Sequence, residues 1–234
     1  SLDSLICRKP ELLSTVRTVI VDEVHSIDRT YRGDQMRVLL ERVRRGAVAP
    51  LTVHLLSATI SDPYILAERY VDKCQVIMVG EQRSVMPHLL GSNEDVLELA
   101  KQNKWRKLLY FCNSRRCVEE TAEALRELWK PYPVVAHHGS LDRGERLEAE
   151  QVMKQNSVAV CVATSTLEIG IDIGDIDLVV LAEPPWSLAA LLQRVGRGSR
   201  RSNVIQAAAV CRSMDEHEIL GLMFEAAAHG DLQS

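Results

Sequence analysis

The sequence predicts an α/β protein made of two units, each a parallel β-sheet covered by helices. Three observations carry that prediction. Short apolar runs of strand length alternate with longer runs whose apolar residues recur at helical spacing. The short runs are apolar at nearly every position, the pattern of strands buried on both faces. The alternation breaks once, at "EQRSVMPHLLGS" (81–92), which has no period and carries Pro87 and Gly91. The expected boundaries are a first unit at 1–80, a linker at 81–91 and a second unit at 92–234.

The opening "SLDSLICRKPELL" reads as helical, and "RTVIVDE" (17–23) as a strand. In "GDQMRVLLERVRRG" (33–46), Met36, Leu39, Leu40 and Val43 fall on one helical face. "LTVHLLSAT" (51–59) is a second strand. Ser61 or Asp62 then caps a helix with Pro63 in its first turn. "CQVIMVG" (74–80) reads as a third strand. Beyond the linker, Ser92 and Asp95 have the spacing of a helix cap. Strands are expected at 107–113, 133–139, 157–164, 176–183 and 204–211. Helices are expected from Ser114 to Trp129 and over roughly 142–155, 187–196 and 214–228.

Composition narrows the function classes. Of 234 residues, 46% are hydrophobic, enough for substantial cores, and the net charge is −4. A general positive coat for nucleic acid is therefore absent, and such binding must come from local basic clusters. Aromatics are only 4%, so the cores must be built from Leu, Val, Ile and Ala. No apolar run approaches the ~18 residues of a membrane span, and no signal peptide opens the chain. The six cysteines include no C-x-x-C pair and read as reduced thiols of a cytoplasmic protein.

In parallel sheets, ligands bind at the carboxyl ends of the strands. Five polar clusters fall there. Asp22 and Glu23, followed by His25, end the first strand. They are either a solvated strand exit or a site where Asp22 holds Mg²⁺ through water and Glu23 polarises an attacking water. A zincin is disfavoured, because its motif needs two histidines one helical turn apart. "SAT" at Ser57, Ala58 and Thr59 ends the second strand. "NSRR" at Asn113, Ser114, Arg115 and Arg116 and "HHGS" at 137–140 end two more. His137 and His138 could be a metal pair, but adjacent strand residues point to opposite faces, so a loop turning at Gly139 is the favoured reading. "TSTLE" (164–168) offers Thr164 to a phosphate, and the following acidic loop offers Asp172 to a sugar hydroxyl. Turn capping is the alternative for both. The most specific cluster is "QRVGRGSRR" (193–201), where Gly196 and Gly198 interleave with Gln193, Arg194 and Arg197. It is either a solvated basic loop or a pair of guanidiniums aimed at triphosphate oxygens.

The order D-E-V-H, S-A-T, N-S-R-R, V-A-T-S-T-L-E-I-G-I-D and Q-R-V-G-R resembles the motor core of superfamily-two DEAD/DExH-type helicases. "HHGSLDRGERLEAEQ" and "TSTLEIGIDIGDIDLVV" are most similar to the Lhr (large helicase-related) group. The resemblance implies two RecA-like lobes, the first incomplete, with ATP in the cleft between them and single-stranded nucleic acid across both. It implies that Asp22 binds Mg²⁺, Glu23 directs the attacking water and His25 links that pair to the rest of the motor. Ser57, Ala58 and Thr59 would couple the lobes. Gln193, Arg194 and Arg197 would serve the phosphates, with Gly170 and Asp172 also on the nucleotide. Asn113, Ser114, Arg115, Arg116, His138, Gly139, Thr164 and Ser165 would contact nucleic acid. The Lhr likeness favours DNA, movement from 3′ to 5′ and a role in DNA repair.

Two departures stand out. The stretch Gly198-Ser199-Arg200-Arg201 shifts the last glycine of the family pattern by one. No G-x-x-x-x-G-K-S/T sequence, the phosphate-cradling loop, occurs in the 234 residues. On the family pattern that loop belongs upstream of Ser1, so this chain alone is expected to be inactive as an ATPase. A non-catalytic module that binds nucleic acid is the main alternative, and a metal hydrolase built on Asp22, Glu23 and the histidine pair is the third.

Overall fold

The computed structural model describes residues 2–57, 62–78, 83–167, 173–198 and 203–229. The chain divides into two compact units, Ser1–Gly80 and Glu81–Ser234.

The first unit runs α1 (Leu2–Arg8), a 3₁₀ turn, β1 (Thr18–Val21), α2 (Tyr31–Gly46), β2 (Thr52–Leu55) and α3 (Pro63–Ala67). β1 and β2 pair in parallel, with Ile20 opposite His54 and Val21 opposite Leu55. α2 begins where the Thr30 side chain accepts the Arg32 and Gly33 amides. Its inner face packs Leu40 with Val21, Val24, Leu66 and Tyr70, and Leu39 and Val43 with Ile6 and Leu13. Asp62 is the α3 cap, accepting from the Tyr64 and Ile65 amides, and Pro63 opens the helix as its fixed φ favours.

Two expectations fail in this unit. Residues 74–78 of "CQVIMVG" form no strand, and Ile77 and Met78 are 74% and 90% exposed. An apolar run becomes a strand only when a neighbour accepts its backbone, and these residues have no ladder partner among the described residues. β1 is also not buried on both faces, since Ile20 is 63% exposed. A described sheet of two strands has too few neighbours to cover both sides.

The second unit contains β3 (Ser84–Leu90), α4 (Asn93–Asn103), β4 (Lys107–Phe111), α5 (Arg115–Leu128), β5 (Val134–His137) and α6 (Arg143–Gln155). It continues with β6 (Ala159–Ala163), β7 (Leu178–Leu181), α7 (Leu188–Val195), β8 (Val204–Val210) and α8 (Met214–His229). All six strands are parallel, in the order β3-β8-β7-β4-β6-β5. Successive side chains leave opposite faces. Leu109, Phe111, Cys161, Val179 and Leu181 therefore pack under α6, α7 and α8 with Met153, Leu191 and Phe224. Their neighbours Leu108, Tyr110, Val160, Leu178 and Val180 pack under α4 and α5 with Val96, Val118 and Leu125. Each fully buried large side chain contributes about 1.5–3 kcal/mol through apolar burial. Local chemistry sets the helix starts: Ser92, Ser114, Asp142 and Ser187 each accept an amide from the first turn, and Asp142 completes a capping box with Glu145.

The linker expected at 81–91 is corrected here, because residues 84–90 are a sheet strand. β3 pairs with β8 along its whole length. Pro87 hid it, since proline interrupts a central strand. β3 is an edge strand, however, and the Ser84 amide donates to Asn203 on the β8 side. Alternate amides face β8, so Pro87 sits where an amide would point off the open edge.

Candidate nucleotide and nucleic-acid sites

In the first unit, β1 delivers Asp22 and Glu23 into a turn that closes against the exit of β2. The Leu56 amide donates to Val21 and the Val24 amide donates to Leu56. Glu23 has φ 51° and ψ 41°, the left-handed region that a non-glycine residue enters at a cost. The Asp22 Oδ1 accepts the Glu23 amide at 2.9 Å. Asp22 is exposed and Glu23 half-buried. His25 Nδ1 lies 2.6 Å from Ser57 Oγ and 3.5 Å from Glu23 Oε2. One imidazole thus spans both expected motifs, and Ser57 joins the acidic turn. Ala58 and Thr59 lie outside the described residues. Two adjacent carboxylates are hard oxygen donors of the kind Mg²⁺ takes alongside nucleotide phosphates and waters. Among the described residues, no group of three or more His, Cys, Asp or Glu side chains could hold a metal ion. Asp22 and Glu23 supply two such oxygen donors, a set that fits a Mg²⁺ shared with nucleotide phosphates.

In the second unit, the expected residues separate into buried and displayed groups. Arg194 is only 3% exposed. Its Nη1 donates to Asn113 Oδ1 at 3.0 Å, and its guanidinium carbon lies 5.6 Å from the Phe111 ring centroid. Asn113 Nδ2 in turn donates to the Pro184 carbonyl, and its backbone amide donates to Glu183 Oε2. The sequence expectation puts Asn113 at nucleic acid and Arg194 at triphosphate oxygens; in this structure they bond to each other. Both side chains are committed inside the unit, tying α7 to the exits of β4 and β7. Gln193 and Arg197 are half-buried. Arg197 follows in the turn after α7, its amide donating to the Arg194 carbonyl. A Cβ on Gly198 would come within 3.1 Å of Val179 and 3.2 Å of Ile205, which explains one of the two interleaved glycines by close packing.

His138 is also turned inward. It is 5% exposed, with Nε2 2.7 Å from Glu119 and Nδ1 accepting the Ser140 amide. His137 instead approaches Glu150, at 3.6 Å, so the two imidazoles diverge. Burial holds the His137 pKa below its usual value, although Glu150 pulls the other way. What this edge displays is Ser114, Arg115, Arg116, Gly139 and Ser165, with Thr164 half-buried. Arg115 is exposed, with no ion pair among the described residues, and Arg116 makes an exposed pair with Glu120. Gly170 and Asp172 lie outside the described residues.

Sequence reasoning missed Arg83. Its Nη1 and Nη2 donate to the carbonyls of Gly198 and Gly196, each at 3.3 Å, so it braces the turn carrying Arg197. It sits just before β3, in the stretch read as a linker, and no local pattern marks it. Glu183 was also missed. An acid at the exit of β7 was its only signal.

Residues 1–66 match the DEAD/DEAH box helicase family, and residues 91–202 match the helicase conserved C-terminal domain. The chain is 34% identical over 208 residues to an ATP-dependent helicase Lhr-Core of Methanocaldococcus jannaschii, covering 82% of this chain and 24% of that protein. It therefore spans about a quarter of the length of such relatives. A solved structure of Mycobacterium smegmatis helicase Lhr bound to ssDNA and AMP-PNP matches with a TM-score of 0.82 and 27% identity, over 100% of this chain and 33% of that one. S. cerevisiae Dbp5 bound to RNA and ADP BeF3 matches with a TM-score of 0.74 at 22% identity, over 99% of this chain and 62% of that one, a likeness of fold. The fold is that of RecA-like helicase lobes with parallel sheets, the first lobe small. The chain belongs to the DEAD/DEAH-box helicases and, within them, to the Lhr-like group.

Proposed function

We propose that this chain is motor sequence of an ATP-dependent helicase or translocase that moves on single-stranded or partly duplex nucleic acid. The observation that carries the reading is the His25–Ser57 contact at 2.6 Å, which binds the acidic turn to the next strand exit. A merely solvated strand exit needs neither that bridge nor a left-handed Glu23.

In this reading Asp22 is the Mg²⁺ ligand, and Mg²⁺ supplies charge neutralisation on the phosphates of ATP. Glu23 accepts a proton from the attacking water, and His25 keeps Glu23 in place. A change at the acids reaches Ser57 through His25, which is how hydrolysis couples to the strand exits. Arg197 is the phosphate-facing guanidinium of the second lobe. Arg194 is a positioning residue that fixes α7 against Asn113. Ser114, Arg115, Arg116, Gly139, Thr164 and Ser165 take the backbone of the strand. DNA as substrate, 3′ to 5′ movement, a repair role and action in the cytoplasm are the finer parts of the proposal, supported by likeness to the Lhr group.

ATP must be held before it can be cleaved, and these residues contain no phosphate-cradling loop. The 234-residue chain by itself is therefore proposed to bind nucleic acid without hydrolysing ATP. A longer protein that supplies the loop should show strand-stimulated hydrolysis. There, Glu23→Gln should abolish turnover and leave ATP binding largely intact, and Ser57→Ala should reduce the stimulation by the strand. Robust hydrolysis by the 234-residue chain, or turnover surviving Glu23→Gln, overturns the assignment.

A further inference from the structure

Two of the six cysteines converge at the loop that carries Asn113 to Arg116. Cys112 follows β4 directly, and Cys117 stands in the first turn of α5. Their sulfurs meet the same hydroxyl: Cys112 Sγ lies 3.8 Å from Thr121 Oγ1, and Cys117 Sγ lies 3.7 Å from it. Cys112 is fully buried and Cys117 is 8% exposed. Cys117 also lines an open polar cavity of about 450 Å³, together with Ser114, Arg116, Thr121 and Arg212. Small polar oxidants can therefore reach Cys117 and not Cys112.

We propose that Cys112 and Cys117 form a peroxide-sensitive dithiol, and that its disulfide closes the loop of Asn113, Ser114, Arg115 and Arg116 and weakens strand binding. The two sulfurs differ in the way such a pair requires. The neighbouring Cys112 thiol pulls the Cys117 pKa down to about 7, opposed by its burial, while Cys117 and burial push Cys112 up. Cys117 is then the thiolate and Cys112 the resolving thiol.

The chemistry balances. The Cys117 thiolate attacks one oxygen of hydrogen peroxide, the O–O bond breaks, and the leaving hydroxide takes a proton to become water. Cys117 is now a sulfenic acid. The Cys112 sulfur attacks the Cys117 sulfur, the S–O bond breaks, and a second water leaves with the Cys112 proton. Two thiols lose two electrons in total and one peroxide becomes two waters. Forming an S–S bond of about 2.0 Å draws the first turn of α5 toward β4. The Ser114 cap and the Asn113 bonds to Pro184 and Arg194 lie within that ring or on it. The effect on strand binding rests on the proposed function, whereas the disulfide itself does not.

The test uses the 234-residue chain carrying Cys7→Ser and Cys74→Ser, which removes the exposed thiols. Equimolar hydrogen peroxide should cost the protein two hydrogens in mass, mapped to Cys112 and Cys117 and reversed by dithiothreitol. Cys117→Ser should abolish the change. Cys112→Ser should leave a sulfenic acid on Cys117 that dimedone traps, with Cys112→Ala as the replacement if that variant does not fold. Affinity for a fluorescent oligothymidylate should fall severalfold on oxidation and recover on reduction. No 112–117 disulfide overturns the proposal, and a disulfide that leaves affinity unchanged overturns the control of binding. A reduced protein that binds no strand contradicts the proposed function, while the mass change still decides the dithiol.

Discussion

Arg194 Nη1 donates to Asn113 Oδ1 at 3.0 Å across 81 residues of chain. A charge-assisted bond to a nearly buried guanidinium is worth more than a neutral one, because the charge has little access to water. The pair fixes the helix of the arginine motif to the strand exit of the N-S-R-R motif, so these two motifs form one unit of structure.

Replacing Asn113 with Ala removes an acceptor from Arg194 and a donor from Pro184. The expected loss is about 1–3 kcal/mol of stability, the cost of leaving a buried polar group short of a partner. Urea denaturation followed by circular dichroism measures it. A shift under about 0.5 kcal/mol, the range of an ordinary surface substitution, shows that water serves Arg194 equally well.

Arg115→Ala combined with Arg116→Ala should weaken single-strand binding for every sequence alike. The Glu120 partner of Arg116 does not protect it, since an exposed pair contributes little. Each lost phosphate contact lowers the slope of log affinity against log salt by about 0.7, so the double variant should lose about 1.4. An unchanged slope places the strand elsewhere.

Because β3 belongs to the second sheet, the placement of a cut matters. A fragment of residues 81–234 should fold cooperatively. A fragment of residues 92–234 removes the full pairing of Ser84–Leu90 with β8 and exposes that strand as a new edge. It should unfold at lower urea and aggregate more readily. Equal midpoints for the two fragments contradict the edge-strand account.

His137 gives the second unit a pH dependence. Burial lowers its folded-state pKa, with Glu150 opposing and Arg146 adding to the shift. In the unfolded chain it titrates near the ordinary value of about 6.5. Between the two values the unfolded chain binds the extra proton, so stability rises with pH there. The contribution is complete above about pH 6.5 and is lost as pH falls toward the lowered folded value. Denaturation midpoints from pH 5 to pH 8 should show that fall, and His137→Asn should flatten it. An identical slope in the variant assigns the titration to another group.

Much of this protein follows from local order. The caps at Asp62, Ser92, Ser114, Asp142 and Ser187 lie beside the amides they serve, so their residue types mark the helix starts. The runs around Leu109, Val160 and Val180 are apolar at each position, and they became strands covered on both faces. The motif order D-E-V-H to Q-R-V-G-R carried the family, because residue types in a fixed order along the chain can be read without knowing how it folds. Pairing between distant segments was not legible in the same way. "CQVIMVG" has the composition of a strand, yet residues 74–78 have no ladder partner among the described residues, while Pro87 lies in a strand because β3 is at an edge. The sequence placed Asn113 and His138 at strand ends, but a position in the chain does not say whether a side chain turns out or in. Packing decided that, where a buried guanidinium needed Asn113 and an adjacent glutamate took His138. It also brought Cys112 and Cys117 to one hydroxyl and Arg83 to the carbonyls of Gly196 and Gly198. Local spacing fixes what the backbone does over a few residues. Which polar atoms meet depends on how whole elements pack, and buried polar groups must find partners there.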